Sequence, residues 1–131
     1  GEAPVNLVEE FGNCPFVEFL GKVPYESVPR YLRASRFGIN WIPDKFPYNI
    51  QTSTKALEYQ AVGLPILSTR YKWAESYRER IGMRRMLFFD EITDSQLEGK
   101  FSNFDGIYSP RGWYDVIHES GVRDQILQKL G

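Results

Sequence analysis

The 131-residue sequence contains one cysteine, one histidine and almost no net charge, and each scarcity argues against a class of protein. Cys14 is the only cysteine, so no internal disulfide can form, and the lone His118 leaves no cluster of zinc ligands. The 16 basic and 17 acidic residues give a formal net charge of −1, so no overall field attracts nucleic acid. We therefore expect no bound metal and no nucleic-acid partner, in a reducing cytoplasm.

Long apolar runs are missing as well. No run approaches the ~20 residues that span a bilayer, and the opening Gly1-Glu2-Ala3-Pro4 has no signal-peptide pattern. We therefore expect a cytoplasmic protein, and if it contacts a membrane, we expect that contact to be peripheral, at the inner face. Hydrophobic residues make up 42% of the chain and aromatic residues 15%, which is typical of a folded core in a single domain.

The apolar patterns and turn signals predict an α/β domain with about four parallel strands, joined by right-handed helical crossovers. The predicted strands are Phe16–Leu20, Phe37–Ile42, Leu64–Thr69 and Met86–Phe89. The predicted helices are Val5–Phe11, one that opens at Glu26 or Ser27, Ser53–Val62, Tyr71–Ile81, Thr93–Phe101 and two C-terminal segments broken at Gly121. In such a sheet, ligands bind at the carboxyl ends of the strands.

The helix Ser53–Val62 carries the strongest candidate site. It follows the hydroxyl run Thr52-Ser53-Thr54, whose side-chain oxygens can cap the free N–H groups of the first turn. Those N–H groups, the positive end of the helix dipole and the charge of Lys55 together predict a phosphate site. Glu58 lies one turn further on, where its carboxylate can accept hydrogen bonds from a diol. The alternative, equally weighted on chemistry alone, is that the hydroxyls only cap and Glu58 is solvated.

Two stretches resemble one protein family. The run Lys55-Ala56-Leu57-Glu58-Tyr59-Gln60-Ala61-Val62-Gly63-Leu64-Pro65 resembles the K-x-x-E-y-x-A-x-G-x-P signature of group 1 glycosyltransferases of the two-domain GT-B fold, where it lies in the donor domain. Upstream, Phe16-Val17-Glu18-Phe19-Leu20-Gly21 with Val23-Pro24-Tyr25 is similar to the family's V-x-F-L-G-x-v-p strand and loop. The resemblance covers residues 1–69 well and the remainder loosely.

The resemblance implies the donor-nucleotide domain of an enzyme that moves a sugar from a UDP- or GDP-type nucleotide sugar to a carbohydrate or lipid-linked acceptor in glycan or polysaccharide biosynthesis. It implies a Rossmann-like three-layer domain over 1–131, truncated at its N-terminus, with the acceptor domain absent and the fragment alone inactive. Lys55 and Glu58 are the expected catalytic residues. The expected nucleotide contacts are Lys22, Val23, Gln51, Thr52, Ser53, Thr54, Lys55 and Glu58. The nucleotide sugar is a substrate, and no further cofactor is implied.

The loop 43–51 departs from the commonest family pattern. Many relatives carry a further glutamate at the position of Ile50, thought to engage the donor sugar. Asp44, Asn49 or Gln51 could take the place of that glutamate, and a branch of the family without the carboxylate is the alternative. The expected donor-sugar contacts are Asp44, Tyr48 and Asn49. A Pro-stiffened connection that contacts no ligand is the alternative.

Other residues fit structural roles better than functional ones. Trp41 is expected in the core and His118 in a structural helix. A solvated face is expected for Arg78, Arg80, Arg84 and Arg85, with contact to an anionic acceptor or a lipid surface as the alternative. Two other functions remain open: a non-catalytic Rossmann-like nucleotide-binding module, and an α/β domain whose aromatic loop contacts a protein partner.

Overall fold

A computed structural model of the chain describes residues 2–82 and 85–93, together with residues 116, 120, 127 and 128. Contacts divide the chain into two compact units, Gly1–Tyr31 and Leu32–Gly131. The predicted helix Thr93–Phe101, most of the two predicted C-terminal helical segments and His118 lie outside the described residues. Of those segments, Val116 and Ser120 are described as helical and buried.

The first unit contains helix α1, Val5–Phe11, with the predicted bounds. The predicted strand Phe16–Leu20 is not formed, and Phe16 is 94% exposed. An extended segment forms a strand only when a neighbour accepts and donates its ladder hydrogen bonds, and no second strand is described in this unit. A short 3₁₀ turn, Tyr25–Ser27, then leads into helix α2, Val28–Ala34, near the predicted start.

The second unit contains a small open sheet of three parallel strands in the order β1-β2-β3. The strands are β1, Gly38–Asn40; β2, Ile66–Ser68; and β3, Met86–Phe88. Each lies inside a predicted strand, so the mixed α/β class and the parallel direction are confirmed. Helix α3, Thr54–Ala61, joins β1 to β2, and helix α4, Lys72–Ile81, joins β2 to β3.

Both helices have nearly the predicted bounds because their end signals are local. Ser53 caps α3, and Gly63 follows it with a φ of +79°, a left-handed conformation that ends a helix readily. Gly82 ends α4 with a φ of +91°. Capping and termination need no distant partner, so the sequence alone could locate them.

One face of the sheet is buried and the other is half-open. Gly38 and Asn40 on β1 face inward, and the inward residues of β2 and β3 are also buried. Most of the core consists of buried residues from these strands and from α3 and α4: Ala56, Leu57, Ile66, Tyr71, Trp73, Ala74, Tyr77, Ile81, Met86 and Phe88, joined by Val116. The Trp73 ring stacks on Tyr71 and Tyr77, with ring centroids 6.1 and 4.7 Å away.

The prediction that Trp41 is a core residue is wrong. Its side chain is 68% exposed, because Trp41 lies just beyond the last residue of β1, Asn40, whose side chain takes the inward position. The Trp41 ring lies at the carboxyl edge of the sheet, 5.3 Å from the ring of Phe89. Strand β1 is also an edge strand of the described sheet, and the central strand is β2.

Candidate functional site

The first turn of α3 is capped by Ser53. The Ser53 Oγ accepts a hydrogen bond from the N–H of Ala56 at 3.3 Å, with Ser53 in an extended conformation. The first helical N–H to reach a backbone carbonyl is that of Leu57, which donates to Ser53 at 3.2 Å. The N–H groups of Thr54 and Lys55 therefore have no acceptor within the helix, as expected for the first two positions.

Lys55 and Glu58 lie three residues apart, on the face of α3 that is turned away from the core. The Lys55 side chain is exposed and that of Glu58 is half-buried, whereas Ala56, Leu57 and Gln60 are buried. This face therefore presents one cation and one carboxylate at the N-terminal half of the helix. Neither side chain forms part of the core, so both are available to a ligand.

A buried polar cluster, formed by Asn40, Ser53, Ser68 and Tyr71, lies beneath the cap. The Ser53 Oγ donates to the Asn40 Oδ1 at 2.7 Å. The Asn40 Nδ2 donates to the Ser68 Oγ at 2.9 Å and to the Tyr71 hydroxyl at 3.2 Å. The Ser68 hydroxyl in turn donates a hydrogen bond to the carbonyl of Thr69 at 2.8 Å. The side chains are almost fully buried, with exposures of 0%, 7%, 0% and 1% in the order named.

Burial raises the pKa of Tyr71, and hydrogen bonds with Asn40 and Ser53 oppose that rise. Tyr71 therefore stays a neutral hydroxyl in this cluster at physiological pH. Sequence reasoning missed the cluster, although a signal for it was present. Asn40 is the one side-chain amide inside the apolar run Phe37–Ile42, and a buried amide requires partners.

A second set of hydrogen bonds holds the carboxyl ends of β1 and β2 together. The Thr69 hydroxyl donates to the carbonyl of Ile42 at 2.6 Å and accepts from its N–H at 3.0 Å. The Thr69 N–H donates to the carbonyl of Asn40 at 3.1 Å. These contacts extend the pairing of the two strands beyond their last register pair, at the edge where the loop to α3 begins.

The loop 43–51 and the residue that follows it, Thr52, hold the remaining candidates of this unit. Asp44 and Gln51 are exposed, Thr52 is half-buried, and Tyr48, at the start of a 3₁₀ turn over Tyr48–Ile50, is 51% exposed. Asn49 is half-buried, and its Oδ1 is enclosed without a hydrogen-bond partner among the described residues. The loop leads directly into the hydroxyl run at the start of α3.

Lys22 and Val23 belong to the first unit, where Lys22 is exposed and Val23 is half-buried. Their contact with a nucleotide stays a prediction. The donor-sugar roles of Asp44, Tyr48 and Asn49 also stay predictions.

A charged cluster around Phe88 was also missed. Arg70 donates to both oxygens of Asp90, at 2.8 and 3.1 Å, and to Glu91 at 2.8 Å, while Arg78 donates to the other oxygen of Glu91. The guanidinium carbons of Arg70 and Arg78 lie 4.3 and 4.1 Å from the centroid of the Phe88 ring. The expectation that Arg78 lies on a solvated face is wrong, since its side chain is only 15% exposed.

This cluster perturbs both of its carboxyl groups. Hydrogen bonds from Arg70 hold the pKa of Asp90 below its ordinary value. Burial acts to raise the pKa of Glu91, but hydrogen bonds from Arg78, Arg70 and the N–H of Phe88 outweigh it, so the pKa is also lowered. All members are paired with one another, which indicates a structural role for the cluster.

Within the described part of the chain, no three His, Cys, Asp or Glu side chains are grouped to hold a metal ion. Over the same residues, no helix combines the length and the apolar character needed to cross a membrane. The chain matches no family model, no curated protein and no solved structure. The resemblance to glycosyltransferases therefore depends on the motif residues alone.

Proposed function

We propose that the chain is the donor-nucleotide half of a glycosyltransferase, which transfers a sugar from a UDP- or GDP-type nucleotide sugar to a carbohydrate or lipid-linked acceptor. The observation that carries the proposal is the first turn of α3. Two N–H groups without an intrahelical acceptor and the exposed Lys55 are concentrated there, on a helix capped by Ser53. In this proposal the sheet belongs to the Rossmann-like donor domain of a GT-B enzyme whose acceptor domain completes the active site.

The same features support a catalytic role in the proposed reaction. The nucleotide diphosphate gains one negative charge as the glycosidic bond breaks, because its terminal oxygen leaves with the bonding electron pair. The N–H groups of the first turn and Lys55 are fixed before that charge develops, so they would stabilise the transition state more than the ground state. This arrangement holds the leaving group with the chain's own donors and requires no metal ion.

Glu58 has the position that the proposal needs for the nucleoside. It follows Lys55 by about one helical turn on the same face, and it is half-buried. A carboxylate there can accept hydrogen bonds from both hydroxyls of a ribose whose diphosphate lies at the start of the helix. A diol and a diphosphate on one face of one helix are the features that distinguish a nucleotide from inorganic phosphate.

The test is equilibrium binding of UDP and GDP to the 131-residue chain and to Glu58→Ala. We expect one nucleotide to bind and the variant to lose about 1–3 kcal/mol of binding free energy, because charged hydrogen bonds to the ribose are removed. Glu79→Ala, which removes an exposed glutamate of α4, should bind as the wild type does. Equal affinity in the wild type and Glu58→Ala would contradict the nucleoside role of Glu58.

A second function is favoured by the exposure of three aromatic side chains near the carboxyl edge of β1. Trp41, Phe46 and Tyr48 are 68%, 73% and 51% exposed. Such residues are enriched in protein interfaces, so an interaction module is the alternative. A folded chain that binds neither UDP nor GDP would favour this alternative over the donor site.

A further inference from the structure

Asn40 connects four elements at the carboxyl edge of the sheet. It is the last residue of β1, and its side chain contacts the cap of α3 at Ser53, the last residue of β2 at Ser68, and Tyr71, the residue before α4. Its exposure is 0%, so water cannot replace any of these partners without opening the core. One side chain thereby fixes the place where the loop from β1 enters α3.

The direction of each hydrogen bond follows from the proton count. The single hydroxyl proton of Ser53 is donated in a hydrogen bond to the Asn40 Oδ1, so a lone pair of the Ser53 Oγ accepts from the N–H of Ala56. The Ser68 hydroxyl donates its hydrogen bond to the Thr69 carbonyl and must therefore accept the one from the Asn40 amide. Both protons of the Asn40 amide are used as donors, and its oxygen is used as an acceptor. No rotation of the amide preserves all of these bonds.

An acceptor is needed at this position to hold the Ser53 hydroxyl in its capping orientation. Without the Asn40 Oδ1, the Ser53 hydroxyl loses the acceptor that fixes its orientation, and it can turn from Ala56 toward Tyr71, the other hydroxyl with which it bonds. The first turn of α3 then loses its cap, and the N–H groups of Thr54 and Lys55 lose their fixed direction. The effect would reach a ligand through Ser53, not through any contact with Asn40 itself.

We propose that Asn40 is a positioning residue for nucleotide diphosphate binding, acting through the Ser53 hydroxyl to orient the first turn of α3. This inference rests on the proposed function. It assigns a role to a residue that lies outside the glycosyltransferase motif and does not contact the nucleotide.

The experiment is a double-mutant cycle with Asn40→Ala, Ser53→Ala and the double variant in the 131-residue chain. The affinity for UDP and GDP is measured at a temperature where circular dichroism shows every variant folded, and hydrogen exchange of the Ala56 amide is followed in the same samples. Ile81→Ala removes a buried side chain at the far end of α4 and is the matched control for lost stability. Asn40→Ser, whose hydroxyl is one bond shorter and does not reach Ser53, replaces Asn40→Ala if that variant does not fold.

We expect Asn40→Ala to weaken nucleotide binding roughly threefold to tenfold, the equivalent of one neutral hydrogen bond, and to speed exchange at Ala56. The double variant should bind no more weakly than Ser53→Ala, and Ile81→Ala should bind like the wild type. Equal affinity in the wild type and Asn40→Ala, or losses that multiply in the double variant, would overturn the role of Asn40 alone. A folded wild type that binds neither nucleotide would overturn the proposed function, and the role of Asn40 with it.

Discussion

The ring of Tyr59 on α3 occupies the space that the β-carbon of any residue other than glycine would need at position 38 of β1. The Tyr59 hydroxyl also donates to the carbonyl of Ile39 at 3.3 Å. Helix α3 therefore packs against β1 through the Tyr59 ring, and this packing requires a glycine at position 38. This contact sets the distance between the helix and the strand whose carboxyl end faces the candidate site.

Gly38→Ala should lower the free energy of unfolding by about 1–3 kcal/mol, because the added methyl group forces the Tyr59 ring out of its place. Urea denaturation followed by circular dichroism measures this change. In the companion variant Gly82→Ala, the added methyl group meets no atom of the described residues within 4 Å, so we expect the loss of stability to come from the positive φ. Adding Tyr59→Leu to Gly38→Ala should recover part of the loss, and an unchanged loss in that background would contradict the steric explanation.

Ser53→Ala should destabilise the chain by about 1–3 kcal/mol, since it removes the hydroxyl that accepts from the N–H of Ala56 and leaves the buried Asn40 Oδ1 without its donor. Thr54→Ala is the natural comparison, because Thr54 is the exposed first residue of the helix and not its cap. The free energies of unfolding of both variants can be obtained from the same denaturant series. A larger loss in Thr54→Ala than in Ser53→Ala would show that the cap is assigned to the wrong hydroxyl.

The Arg70 cluster predicts a loss of stability in acid. The native pKa values of Asp90 and Glu91 lie below their ordinary values of 3.8 and 4.5, so both groups contribute stability above those values. That contribution is lost as the pH falls through the lowered native pKa values. Denaturation curves between pH 6 and about pH 3 should therefore show a steeper decline for the wild type than for Asp90→Asn. Glu79→Gln, outside this cluster, should decline like the wild type, and a parallel decline of Asp90→Asn would contradict the assignment.

Lys55→Ala should weaken the binding of UDP or GDP more than that of the matching monophosphate, because its charge faces the diphosphate in our proposal. Lys72→Ala removes the same charge from the first turn of α4 and should leave the affinity unchanged. In a full-length enzyme with its acceptor domain, Lys55→Ala should also lower kcat by roughly 10² or more. Unchanged kcat in that enzyme would remove Lys55 from the chemistry.

Helix α3 shows how much the sequence could establish. Its hydroxyl run, its glycine and its spacing of buried residues lie within one short segment, and the predicted range Ser53–Val62 agrees with the observed Thr54–Ala61 and its two caps. The strand predicted at Phe16–Leu20 depended instead on a neighbour from elsewhere in the chain, which a local alternation of residues does not supply.

Strand β1 shows a different difficulty. Apolar residues occupy nearly every position of Phe37–Ile42, so the alternation does not reveal which residues face inward. Asn40 takes the inward position because its amide is hydrogen-bonded there by Ser53 and Ser68. These partners lie 13 and 28 residues further along the chain, so no pattern within the strand indicates them. The inward side chain of Asn40 is also what leaves Trp41 exposed. Both features of the site follow from contacts between distant segments.

The central claim is that a nucleotide diphosphate binds at the N-terminal turn of α3. The measurement that tests it most directly is a titration of the ¹⁵N-labelled chain with UDP and with GDP, followed by two-dimensional NMR. We predict that one of the two shifts the backbone amides of Ser53, Thr54 and Lys55 most strongly, in a saturable manner, and that Glu58→Ala weakens the effect. Saturable shifts confined to other residues, or no shifts from either nucleotide in a folded sample, would contradict the account.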